Sequence, residues 1–335
     1  MYIIKQSPDD FIVKEQSTVV MDDDGAYCYF LLRKRNWNTL DVVQRIAQQL
    51  GIKEKQIGFA GSKDRAAVTE QVISLSVGLK EKVGTVSLSD VVLTFLGKGK
   101  SPISLGDLRG NTFVIVVRGL DDFPLPEIKS VPNYFDDQRF GKHNPQIGKM
   151  IILKKFDQAL HLLDKPQCNV HLEKNPRDYV GALKLIPLRL LKLYVNAYQS
   201  YLWNETVSRL FRQQYDTYRE VSYSQGKFVF PEGEALQRLI PLVGYAESRE
   251  LDSPLREIVQ VLFQEEGIIS DDFIVRQIPE LSLEGEERQL MMDIHDFSSS
   301  PLLDDDLNKD KRKVSLSFTL GKGCYATIVI KSLFG

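Results

Sequence analysis

The chain has 335 residues, more than one core of ~250–300 residues accommodates, so more than one domain is expected. Its 43% hydrophobic and 26% charged residues are those of a soluble globular protein, and a net charge of −2 excludes a global basic field, so any nucleic-acid contact must rest on a local patch. The aliphatic runs, such as Phe113 to Val117, are far shorter than the ~20 residues of a membrane span, and the N-terminal Tyr2-Ile3-Ile4-Lys5-Gln6 lacks a signal-peptide pattern.

The predicted elements begin with strands and helices in alternation. Thr39 reads as an N-cap, Leu40, Val43, Ile46, Ala47 and Leu50 recur at helical spacing, and Gly51 ends that helix. Gly58, Ala60 and Gly61 free the backbone for a tight turn. Thr69 and Gln71 then open an alternating run through Val72, Ser74 and Ser76, which predicts a strand. Further strands are predicted at Val91 to Phe95 and Thr112 to Arg118, both rich in β-branched residues. The middle of the chain reads as helical. Tyr194, Ala197, Tyr198, Tyr201 and Leu202 form one stripe. A second helix starts at Ser253 with Pro254 in its first turn, carries Leu255, Ile258, Val259 and Leu262, and stops near Gly267. Residues 304–313 are charged and read as an exposed loop. The C-terminus returns to strands at Val314 to Leu320 and Tyr325 to Ile330, joined by Gly321-Lys322-Gly323. Strand-rich ends around a helical middle predict an α+β domain interrupted by an insertion.

The three cysteines, Cys28, Cys168 and Cys324, are isolated, as in a reducing cytoplasm. Cys168 and His171 have a spacing found among metal ligands, but no second pair lies nearby, and they read as ordinary side chains.

One stretch carries chemistry: Gly58-Phe59-Ala60-Gly61-Ser62-Lys63-Asp64-Arg65-Ala66-Ala67-Val68-Thr69-Glu70-Gln71. A Lys-Asp-Arg triplet alone is ordinarily a solvated turn. Here it follows a small-residue turn and leads into a strand, a position where reactive groups are held. A lone carboxylate among cations stays ionised and can act as a nucleophile.

This stretch resembles the signature of the TruD family of tRNA pseudouridine synthases, in which the matching aspartate is the nucleophile. Four further blocks resemble the family in the same order. They are 5–15 (Lys5-Gln6-Ser7-Pro8-Asp9-Asp10-Phe11 and onward), 106–113, 131–141 together with 197–204, and 318–327. Three positions depart from the family's pattern: Asp136 stands where glycine is usual, Gly321 where proline is usual, and Ser62 where Leu or Gln is common. Asp136 puts an acid near the surface expected to meet RNA.

The resemblance implies an α+β fold: a pseudouridine synthase core with a mixed, mostly antiparallel sheet, interrupted by a mainly helical TRUD insertion domain. Residues 1–150 and 289–335 are expected to form the catalytic domain and 151–288 the insertion, closer to the archaeal and eukaryotic branch. The implied reaction isomerises uridine to pseudouridine, at tRNA position 13, without cofactor or metal. tRNA is the expected partner, with no membrane, and the chain is expected to act as a cytoplasmic monomer. Asp64 attacks C1′ of the ribose or C6 of the base, or takes the 2′ proton, and the sequence does not choose between these. Each route needs a nearby cation. Lys5 is the candidate that the family's N-terminal block supplies, and Lys63 and Arg65 are the neighbours in sequence. The family's pattern also implies Phe135 as the ring that stacks on the flipped uracil. Asn133 would hydrogen-bond the base or fix the loop. Lys63, Arg65 and Arg139 are further substrate-binding candidates, with Lys142, Lys98, Lys100 and Arg109 available to phosphates.

Two other classes compete. A non-catalytic RNA-binding or RNA-chaperone protein on this scaffold would keep the basic and aromatic groups but has no need of Asp64. A hydrolase of nucleosides or glycosides ordinarily needs a second carboxylate, and none stands out in the matching blocks.

Overall fold

The β-branched runs form one nine-stranded sheet in the structure, a computed structural model that describes residues 2–122, 126–233, 236–246 and 252–335. Its first strands are β1 (Phe11–Ser17), β2 (Tyr27–Arg35), β3 (Gly58–Phe59), β4 (Val68–Ser76), β5 (Val91–Gly99) and β6 (Leu108–Leu120). Two more, His295–Ser299 and Arg312–Gly321, complete the spatial order His295–Ser299, Arg312–Gly321, β6, β1, β4, β2, β5, and β3 and Leu303–Asp304 pair at its margins. β1 runs parallel to β4, while the pairings of β1 with β6 and of β2 with β4 and β5 are antiparallel. The sheet is therefore mixed and mostly antiparallel, as expected.

The chain divides into two compact units. One comprises residues 1–130, 293–326 and 333–335, the other 131–292 and 327–332. The first unit contains the whole sheet. On one of its faces lies the helix Thr39–Leu50, whose Val42, Val43, Ile46, Ala47 and Leu50 pack with Cys28, Phe30, Leu32, Ile73 and Leu75. The 3.6-residue periodicity gathers those apolar residues on one helix face and the period-2 alternation gathers the strand residues on one sheet face, so packing the two faces together buries both. The second unit centres on the 27-residue helix Leu188–Gln214. Its Leu191, Tyr194, Val195, Tyr198 and Leu202 join Ile147, Ile151, Leu160 and Phe273 in one core, and a hairpin of Tyr218–Tyr223 with Gly226–Pro231 adds a small sheet.

Three expectations change. The Tyr325 to Ile330 run is not a strand: Ala326–Phe334 is a helix with Ile328, Val329 and Ile330 fully buried. A short apolar run buried on all sides has no periodicity to separate the two readings, and its β-branched residues misdirect. The N-cap of the first helix is Asn38, whose side chain accepts from the Leu40 amide, and Thr39 is instead fully buried as the first helical residue. The charged stretch 304–313 is not wholly exposed: the carboxylate of Asp305 is buried against Arg118. Cys168 is a core side chain, and His171 pairs with Asp178.

Candidate active site

The Asp64 loop, residues 60–67, links β3 to β4 in the first unit. Its turn needs the glycine at its entrance. A Cβ on Gly58 would lie 2.4 Å from both the Ile103 carbonyl oxygen and Ser74 Oγ, whereas one on Gly61 would meet open space.

The structure brings Asp64 and Lys5 together. Lys5 Nζ donates to Asp64 Oδ2 at 2.7 Å, and both side chains are about a quarter exposed, at 26% and 22%. Lys5 Nζ also lies 4.1 Å from the centroid of the buried Phe11 ring. Lys5 has φ 57°, in the left-handed region where a side chain costs roughly 1–2 kcal/mol. Such backbone strain is tolerated where the surroundings fix a functional geometry. The ammonium thus sits between the carboxylate and the ring, on a backbone in the left-handed region.

The loop is tethered from below by side chains of the sheet and the first helix. Lys34, fully buried on β2, donates to the carbonyls of Trp37 (2.6 Å), Asp64 (2.9 Å) and Lys63 (3.4 Å). Gln71 of β4 donates to the Gly61 carbonyl at 3.0 Å, and Thr39 Oγ1 accepts from the Lys63 amide at 2.9 Å. Lys63 turns inward to a 2.6 Å ion pair with the fully buried Glu15 carboxylate of β1, which also accepts from the Val72 amide. Lys63 was expected at the substrate; its ammonium is instead spent on Glu15, because an unpaired carboxylate at that depth is prohibitively costly. Arg65 is exposed. Burial lowers the Lys34 ammonium from its ordinary value to about 8, with the Asp64 charge opposing that shift and Lys63 adding to it.

Sequence reading missed Lys34, although a signal exists. In Cys28-Tyr29-Phe30-Leu31-Leu32-Arg33-Lys34, Lys34 falls on the same alternate phase as Cys28, Phe30 and Leu32, the buried face of β2. A lysine on the apolar phase of a strand marks a buried charge.

The remaining candidates lie in the second unit. Phe135 is buried, 8% exposed, with its ring edge-to-face against Trp203 at 5.8 Å. The Arg288 guanidinium lies 4.1 Å from the Phe135 centroid and that of Arg139 5.6 Å. Asn133 is engaged at both ends of its amide. Nδ2 donates to the Gln289 carbonyl at 3.1 Å, and Oδ1 accepts from Arg288 at 2.5 Å, so here it fixes the loop. Arg139 Nε donates to Ser200 Oγ at 3.1 Å. Asp136, which the sequence placed near an RNA surface, is buried and ion-paired with Lys331 at 2.5 Å. Burial opposes the charge on Lys331, but Asp136 and Asp137 more than offset this and hold it above the ordinary lysine value. Arg288 was also missed, since its role depends on contacts more than 150 residues away in sequence. Among the described residues there is no cluster able to hold a metal ion and no helix long and apolar enough to cross a membrane.

Comparison with known proteins matches the sequence and fold of this chain to one family. The family model for tRNA pseudouridine synthase D (TruD) matches residues 2–169, 166–237 and 226–333. A relative from Methanocaldococcus jannaschii, curated as probable tRNA pseudouridine synthase D 2, is 32% identical over 99% of this chain and 91% of its own length. One from Methanopyrus kandleri, curated as probable tRNA pseudouridine synthase D, is 28% identical over 93% of this chain and 86% of its own length. A crystal structure from Methanosarcina mazei, described as tRNA pseudouridine synthase D (TruD), superposes with a TM-score of 0.73 at 25% identity, covering 98% of this chain and 92% of that one. The chain belongs to the TruD family of pseudouridine synthases.

Proposed function

We propose that this chain isomerises uridine to pseudouridine in tRNA, at position 13, with Asp64 as the nucleophile. Family membership carries the reaction class. The observation that carries the residue assignment is the half-buried Asp64 carboxylate paired at 2.7 Å with Lys5 on a tethered loop.

The reaction breaks the bond from C1′ to N1, turns the uracil and closes a bond from C1′ to C5. The proton lost from C5 balances the one gained at N1, so nothing is consumed. A carboxylate suffices, provided it is ionised and aimed. Lys5 Nζ donates to Asp64 Oδ2 at 2.7 Å and sets an opposite charge against the attacking group. The loop tethers supply the aim, and fixed orientation accounts for much of the advantage of an enzymic over a free nucleophile. Attack at C1′, attack at C6 and removal of the 2′ proton all start from this same ionised group.

The uridine must leave its stack to reach a carboxylate, which costs a few kcal/mol. Phe135, carried over from the family's motif, is the ring proposed to return part of that cost. This requires one of the guanidiniums near its ring to make room. Lys63 and Asn133 act in this reading as loop anchors, while Arg65 and Arg139 are left to contact the RNA. The chain acts in the cytoplasm as a monomer.

The test is pseudouridine mapping of unmodified tRNA transcripts after incubation with the purified protein. A single new pseudouridine at position 13 is the expected result. Pseudouridine elsewhere in the tRNA would refute the position, and none in any tRNA would refute the reaction.

A further inference from the structure

We infer that Lys34 is a positioning residue for this reaction: its charged ammonium, buried in the sheet under the Asp64 loop, holds the loop's backbone in the conformation that aims the Asp64 carboxylate. The inference deepens the assignment of Asp64 and rests on it.

The geometry is a match of donors to acceptors. An ammonium has three N–H donors and no acceptor. Lys34 Nζ lies within hydrogen-bond distance of three backbone carbonyls, those of Trp37, Lys63 and Asp64. The Trp37 carbonyl belongs to the turn leaving β2, so the lysine ties that turn to the loop bearing the nucleophile. Fixing the carbonyls of Lys63 and Asp64 fixes the peptide planes on either side of the Asp64 Cα, and hence the direction of its side chain. The neutral amine has only two N–H donors, so proton loss releases one carbonyl and weakens the charge-assisted bonds to the others.

A merely structural side chain at this position has no need of charge. Lys34 is fully buried and lies on the phase of β2 that otherwise holds Cys28, Phe30 and Leu32. A charge there opposes folding, because desolvation disfavours it. The charged groups around it come from three elements. Asp64, from the loop, favours its charge, and Lys63, from the same loop, disfavours it. Each of these has its own partner, Lys5 from the N-terminal segment and Glu15 from β1. The balance brings Lys34 to about 8, so the proton leaves within a range where the enzyme is assayed.

The test compares wild-type protein, Lys34→Met and Lys34→Arg, with Asp64→Asn as reference, in single-turnover pseudouridine formation at saturating enzyme from about pH 6 to about pH 10. Wild-type turnover is expected to fall above about pH 8. Lys34→Met should turn over roughly 100-fold more slowly at neutral pH, as for a misaimed catalytic group, with tRNA affinity within about threefold. Lys34→Arg keeps a charge that does not titrate here, so its residual rate should not fall until higher pH. In wild-type protein, hydrogen-exchange protection of residues 61–67 should drop over the same range while that of Thr39–Leu50 holds. That measurement needs no variant to fold. Lys34→Met turning over at the wild-type rate, an identical alkaline limb in wild-type and Lys34→Arg, or constant loop protection would overturn the inference. An active Asp64→Asn protein would instead refute the Asp64 assignment beneath it.

Discussion

At the scale of single residues, Asp64 is surrounded by cations with different duties. Lys5 bonds its carboxylate, Lys34 its carbonyl, and Lys63 bonds Glu15 instead. The sequence pointed to Lys5 through the N-terminal block, because a motif carries a residue's place even when 59 positions separate the partners. It gave no sign of the Lys63 pairing, because the partner, Glu15, lies 48 positions away. Lys5→Met removes the 2.7 Å donor to Asp64 Oδ2 and should slow single-turnover pseudouridine formation roughly 100-fold, as for a misaimed catalytic group, with tRNA affinity within about threefold of wild type. An unchanged rate in that variant would reassign the role to another cation. Phe135 is enclosed by Trp203 and Arg288, so Phe135→Ala should cost ~3–5 kcal/mol of stability as a buried truncation. Phe135→Leu keeps most of that volume without the ring. Should the ring stack on the base, Phe135→Leu melts near wild type but turns over at least roughly fivefold more slowly, stacking being worth ~1–3 kcal/mol. Near-normal turnover in that variant would make Phe135 purely structural.

At the scale of elements, β4, β5 and β6 were legible because β-branched residues are dense there, and the first helix because its apolar spacing is regular, whereas β1, β2 and the two-residue β3 were not read from the sequence. The C-terminal helix was not, because Ile328-Val329-Ile330 carries strand propensity into a site where burial, rather than propensity, decides. Thr39 shows a similar limit. It has the chemistry of a cap, but its hydroxyl is used by the Lys63 amide and Gln71, and Asn38 caps instead. The turn between β3 and β4 gives a paired prediction. Gly58→Ala forces a Cβ to within 2.4 Å of the Ile103 carbonyl and should destabilise by ~1–3 kcal/mol, as overpacking does, with a loss of turnover as the loop shifts. Gly61→Ala meets nothing within 4 Å and should melt within about 0.5 kcal/mol of wild type. Thermal melting of both variants checks this, and equal effects would contradict the packing argument.

At the scale of the whole molecule, the sequence made the α+β class and the interrupting helical segment legible, since blocks of strand pattern enclose a long helical one. Its compact units divide at 130/131, 292/293, 326/327 and 332/333, and of these the first is marked in the sequence, by Pro124, Pro126 and Pro132 around it. Within the first unit, Arg118 of β6 ties the chain's beginning to its end by pairing with Asp10 and Asp305. Burial pushes the Asp305 carboxyl upward, but Asn308, the Gly119 and Leu307 amides and Arg118 outweigh it and hold it at about 2 rather than 3.8. A depressed carboxylate contributes stability above its unfolded value and loses it as pH falls through the folded one. The melting temperature should therefore drop between pH 3.8 and about 2, and Asp305→Asn should flatten that drop. An unchanged acid profile in Asp305→Asn would show that other carboxylates dominate acid unfolding.

The most direct measurement is single-turnover pseudouridine formation by Asp64→Asn on tRNA, with melting temperature and tRNA affinity taken on the same preparation. The substitution removes the ionised oxygen while keeping the size of the side chain. Pseudouridine formation should vanish, while melting stays within a few degrees of wild type and tRNA affinity stays within about threefold, since Asp64 contributes chemistry rather than charge to the RNA contact. Formation of pseudouridine at a substantial fraction of the wild-type rate would contradict the assignment of Asp64 as the nucleophile.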